Sequence, residues 1–192
     1  RSPKGNVNAG FRPPGTTFTF VASNFTAGTP AAVSLGIAVS ASDAVVGDDG
    51  QGPGYQNRVG NAQVGVLAGG VGAAPVTGIK ISGNTIGQAS DGSGAPVTTA
   101  IRIAAPVTSA QVSANNVSNA LTGVALQGSA GGPSAQGVRI TANAFSQTGH
   151  LSVDLNEDSQ TNPNDEGDAD SGANGLRNYP RLTRVVQSRI SG

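Results

Sequence analysis

IKISGNTIG (residues 79–87), AQVSANNVS (110–118) and VRITANAFS (138–146) are three copies of one pattern: apolar, any, apolar, two small or polar residues, Asn, any, apolar, small. The aligned Asn84, Asn115 and Asn143 fall 31 and 28 residues apart. Each copy is followed by a second apolar alternation, AIRIAA (100–105), GVALQG (123–128) and LSVDLN (151–156), with QVGVLAGG (63–70) as an earlier one. Periods of 20 to 50 residues are the sign of stacked repeats. A strand with two or three inward residues cannot bury its own apolar face. Stacking each unit on the next, about 4.8 Å apart, pairs the backbone groups and lines up the Val and Ile residues in columns. The expected fold is therefore all-β, a parallel β-helix of several short coils. Asn suits the corner of such a coil, because it tolerates left-handed backbone angles and its amide can bond the amide of the neighbouring coil. A helical fold is disfavoured by the Gly, Thr, Val and Asn content. An antiparallel β-sandwich is the alternative, against which the long segments 89–98 and 128–136 speak, since they do not look like two-residue hairpin turns.

Outward from the repeats the chain changes character. RSPKGNVNAGFRPPGT (1–16) is rich in Pro and Gly, and TFTFVASNF begins a short alternation at Thr17. At the other end, seven of the eleven acidic residues lie between Asp154 and Asp170. The reading divides the chain into a lead-in or cap (1–32), coils (33–155), an acidic capping loop (156–182) and a linker or truncated strand (183–192).

Composition narrows the function. Charged residues are 11% of the chain, against roughly a quarter in ordinary soluble proteins. Eleven basic and eleven acidic residues balance to zero, so nothing tracks a phosphate backbone and nucleic acid is not an expected partner. No apolar run of membrane-spanning length occurs, which gives no expectation of membrane insertion. The absence of Cys excludes a disulfide framework. The absence of any Met, an initiator included, leads us to expect a processed segment of a longer precursor.

Ile81-Ser-Gly-Asn84-Thr-Ile86, the Gly-Val-x-Leu element at 123–126 and above all Asn164-Asp-Glu-Gly-Asp168-Ala-Asp170-Ser-Gly-Ala-Asn174-Gly-Leu176-Arg-Asn178-Tyr-Pro180-Arg-Leu182 resemble the right-handed parallel β-helix repeat segments of large bacterial secreted and cell-surface proteins. The resemblance covers roughly residues 60 to 182. It implies right-handed winding, an extracellular or cell-surface location, and an end motif placed where a β-helical segment gives way to another module.

Two sets of side chains are candidates for chemistry. Asp165, Asp168, Asp170 and Asn174 alternate with Gly and Ala, and Asp154 and Asp158 precede them; together they could turn several oxygens toward Ca2+, which takes six to eight. The competing reading is a solvated turn whose Asp and Asn side chains cap backbone N–H groups. Lys80, Arg102 and Arg139 each sit between two apolar residues, in Ile-Lys-Ile, Ile-Arg-Ile and Val-Arg-Ile, and could form an outward basic stripe for acidic glycans; the plainer reading is solvent-side strand residues that discourage edge pairing. Arg177 and the arginines after it are read as local neutralisation of the acidic loop. His150 and Asp154 share a strand face, but no second carboxylate pair accompanies them, and no residue is assigned to catalysis.

The expected function is a structural and adhesive extracellular module, calcium-stabilised, whose partners are surface glycans, other modules of the same precursor or further copies of itself. A polysaccharide lyase or glycosidase and a self-assembling filament subunit are the competing readings.

Overall fold

A computed structural model describes residues 19–20, 24–26, 33–48, 56–70, 74–128 and 132–181. The expected lead-in or cap (1–32) and linker or truncated strand (183–192) lie outside the described residues, apart from two short strands in the first. Among the described residues fourteen strands run in chain order: β1 Thr19–Phe20, β2 Asn24–Thr26, β3 Val33–Val39, β4 Val45–Gly47, β5 Arg58–Gly60, β6 Ala62–Ala68, β7 Ile79–Ser82, β8 Thr85–Ile86, β9 Val97–Ile103, β10 Ala110–Ser113, β11 Asn116–Gln127, β12 Val138–Thr141, β13 Ala144–Thr148 and β14 Val153–Asn156. The one helical element among the described residues is a 3-10 turn, Ala173–Leu176. Among the described residues no helix is long and apolar enough to cross a membrane.

All pairing between these strands is parallel, in two sheets. The smaller has the order β1-β4-β7-β10-β12; the larger runs β2-β5-β8-β11-β9-β6-β3, with β13 and β14 added to β11. Register places like residues in columns. Val46, Ile81, Val112 and Ile140 make one. Val59, Ile86, Val117 and Phe145 make a second, and Ile37, Val66, Ile101, Val124 and Val153 a third. The middle members are fully buried, and each such Val or Ile stabilises the stack by about 1.5–3 kcal/mol relative to exposure. Small residues alternate with the third column: a Cβ at Gly65 would meet the Ala100 carbonyl oxygen at 2.6 Å and Ile86 Cγ2 at 2.9 Å. Gly is what lets these strands lie so close.

The expected right-handed parallel β-helix with an acidic capping loop is corrected by this arrangement, which fits such a helix only loosely. Even coils would give the faces equal numbers of short strands, whereas the sheets have five and nine. The inequality comes from β11. Its first half pairs β8 and β13, its second half β9 and β14, across a stretch that the sequence pattern reads as two strands with a corner between. Asn119 takes a φ of 48° inside it, an angle Asn tolerates, so the strand bends without ending. The antiparallel sandwich falls as well; the only antiparallel pairing among the described residues is the isolated bridge Gln88 to Gly94.

The asparagine pattern does form a ladder. Asn57, Asn84 and Asn115 each donate the side-chain amide to Oδ1 of the next Asn, at 2.9 Å, ending on Asn143. The backbone N–H of each bonds the same oxygen. The left-handed angles, however, fall on the residue before: Gly83 (φ 69°), Ala114 (54°) and Ala142 (55°).

Candidate functional site

Lys80, Gln111 and Arg139 occupy one register column on the smaller sheet. Each lies between buried or half-buried apolar neighbours and is exposed, because successive side chains of a strand point to opposite faces. Two steps of about 4.8 Å separate the first from the last. Arg139 lines a cleft of about 320 Å3 with Gln136, Asn174 and Arg177. Among the described residues, none of Lys80, Arg139 and Arg177 is in an ion pair.

Arg102 is not part of this column. It lies on β9 in the larger sheet, where its guanidinium holds Glu157 Oε2 from Nη2 at 2.7 Å and from Nε at 2.9 Å. The predicted three-residue stripe is thus two residues plus Arg177, which the sequence reading set aside as local neutralisation. Nothing in the local pattern of Arg177 marks it; its place comes from the fold of residues 156–181 over the end of the stack.

Arg177 also walls a second cleft, of about 340 Å3, floored by Leu151, Val153 and Leu155 and flanked by Gln160, Asn162 and Tyr179. Val153 and Leu155 continue the core columns of Val124 and Leu126, but Val153 is 37% exposed. Tyr179, 49% exposed, stands beside them.

The acidic candidates are distributed over separate places. Asp154, 2% exposed, accepts the N–H groups of Asp158 and Ser159, one on each oxygen. Asp158 Oδ1 accepts from the Gln160 N–H. Asp165 Oδ2 accepts from Ala169, and the Asn178 side chain accepts from the Asp165 N–H and donates to its carbonyl. Asp168 Oδ1 accepts from the Asn178 N–H, while Asp170 is exposed. Asn174 faces the opposite way. Its amide accepts from the N–H of Val138 at 2.9 Å and donates to its carbonyl at 2.7 Å, as a neighbouring strand would. The structure brings Asp165 and Asp168 together through Asn178, brings Asp154 and Asp158 together in a separate turn, and places Asn174 on Val138. Among the described residues no group of three or more His, Cys, Asp or Glu is placed to hold a metal; Asp165 Oδ1 is buried without a hydrogen-bond partner. His150 is exposed and donates its backbone N–H to Leu121.

In comparisons with known proteins, no family model, no curated protein and no solved structure matches the chain.

Proposed function

We propose that the chain is a structural and adhesive module of an extracellular or cell surface, and that its contact face recognises acidic glycans. The observation that carries this reading is the column Lys80, Gln111, Arg139 running into the cleft shared with Arg177. Among the described residues Lys80, Arg139 and Arg177 are in no ion pair; the first two share the column and the last two line the cleft. Guanidinium groups bind carboxylates in a fork of two hydrogen bonds, and an ammonium adds a point charge. A linear chain with repeated carboxylates can follow such a column, each charge meeting a cation. The parallel stack fixes the backbone beneath Lys80, Gln111 and Arg139, so ordering on binding is confined to the side chains.

Titration calorimetry with a galacturonic-acid oligosaccharide, against a neutral oligosaccharide of equal length, tests the reading. Binding to the acidic ligand alone is expected, weakening as salt rises through the range where the screening length shrinks to about 8 Å, and falling at least tenfold in an Arg139→Ala, Arg177→Ala double variant. Equal affinity for the neutral ligand, or an unaffected double variant, would overturn it. New reducing or unsaturated ends in the mixture would assign the surface to an enzyme instead.

A further inference from the structure

A parallel stack has two unlike ends, and among the described residues parts of the same columns are unpaired at both. Among the described strands, β1, β2 and β3 at one end and β12, β13 and β14 at the other have a single partner each. We infer that the edge of β12 and β13 from Ile140 to Phe145, unpaired among the described residues, docks the first strands β1 and β2 of a second copy of this chain.

Three observations converge on that edge. Thr141 accepts from Ala114, and Ala144 donates to Asn115, so these residues spend their backbone groups on the stack. By the alternation of a parallel ladder, the N–H and C=O of Ile140 and Phe145 point the other way. Next, Ile140 and Phe145 are only partly buried, whereas Val112 and Val117, one step back in the same columns, are fully buried. What the last pair lacks is the following layer. Finally, the asparagine ladder stops unfinished. Asn84 and Asn115 donate a backbone and a side-chain N–H to the next Oδ1, while Asn143 donates to the Val112 carbonyl and has no such oxygen ahead of it among the described residues.

The register names the occupant. Thr19–Phe20 pairs with Val45–Val46, and the same columns pass through Lys80–Ile81 and Gln111–Val112 to Arg139–Ile140. Asn24–Phe25 pairs with Arg58–Val59, and those columns pass through Thr85–Ile86 and Asn116–Val117 to Ala144–Phe145. Phe20 and Phe25 therefore belong to the columns that Ile140 and Phe145 end. A second copy placed head to tail extends both sheets by the rule the chain follows internally. Asn174 already fills the Val138 position, and Gln160, Asn162 and Tyr179 stand along β14, which confines docking to β12 and β13. Such a contact joins unlike surfaces and does not close, so it builds open chains instead of a symmetric dimer.

Sedimentation velocity of the full chain over a hundredfold concentration range should show mass rising beyond the dimer. Phe145→Lys blocks one end and Phe25→Lys the other: each alone should stay monomeric, and the two mixed should give a one-to-one dimer that grows no further. A monomeric wild type, or a Phe145→Lys protein that assembles like the wild type, overturns the inference. Because a lysine in a column could unfold a variant, a second measurement leaves the core untouched. The described residues hold no cysteine and the sequence has none, so a Thr19→Cys, Arg139→Cys double variant should form a ladder of disulfide-linked oligomers on oxidation, since neighbouring strands lie within bridging distance. Absence of that ladder counts against the contact. Failure of glycan binding leaves these readouts unaffected.

Discussion

Two regions of the molecule use the same side-chain amides and carboxylates in opposite ways. In the stack, Asn84 and Asn115 are 1% exposed and, apart from one bond of Asn84 to the Ser82 carbonyl, bond partners 27 to 38 residues away. In the acidic segment, Asn164, Asp165, Asp168 and Asn178 bond backbone groups 4 to 15 residues away near the surface, Asp168 and Asn178 exposed and Asn164 and Asp165 half-buried. The first network ties successive layers together and the second only shapes a turn. A buried polar group left without a partner loses about 1–3 kcal/mol, whereas an exposed one turns to water. Burial, more than bond count, should set the energetic rank.

Asn115→Ala is expected to show the largest effect. Oδ1 of Asn115 accepts two N–H groups of Asn84, and its amide donates to the Ile81 carbonyl and to Asn143. Truncation strands several buried partners at once, and a loss of about 2–4 kcal/mol should appear as a lowered denaturant midpoint. A loss below about 0.5 kcal/mol would remove the distinction between the two regions.

Asp154→Ala sharpens the comparison because Asp154 belongs to the acidic segment by sequence and to the buried class by position. Its two oxygens take the N–H groups of Asp158 and Ser159. About 1–2 kcal/mol should be lost in the same denaturation experiment, with Asp154→Asn in between, since one acceptor oxygen remains. If Asp154→Ala is as mild as changes at exposed carboxylates, burial is not the deciding variable.

How far the sequence shows these arrangements depends on what each pattern encodes. Ile79-Lys-Ile and its copies encode alternation and a period, which is enough for parallel stacking, for the buried columns and for the asparagine ladder. They do not encode where a strand bends. Asn119 continues β11 through an apparent corner with a left-handed angle, and so the sheets are unequal. Alternation likewise says that Lys80, Arg102 and Arg139 face outward, but not on which sheet; Arg102 faces outward on the other one, against Glu157. The acidic segment is harder still. Asp and Asn are good cation ligands and good turn formers for the same reason, a short side chain ending in oxygen. The use of Asn174 as a stand-in strand for Val138 depends on a contact 36 residues away that no local spacing displays.

Asn178→Ala is expected to have the smallest effect. Its side chain holds both the N–H and the C=O of Asp165, yet at an exposed site. Water replaces both bonds, so the loss should stay below about 1 kcal/mol. The measurement gains force when wild type and variant are melted in calcium and in chelator. If the carboxylates of Asp165 and Asp168 serve as caps for Ala169 and Asn178, the midpoints do not depend on calcium. A rise with calcium in the wild type that disappears in Asn178→Ala would place a cation at Asp165 Oδ1, the one buried side-chain oxygen without a hydrogen-bond partner among the described residues, because a ligand bound only by the folded state raises the midpoint by mass action. The acidic segment would then carry energy of its own in spite of its exposure, and the ranking by burial would hold for the asparagine ladder alone.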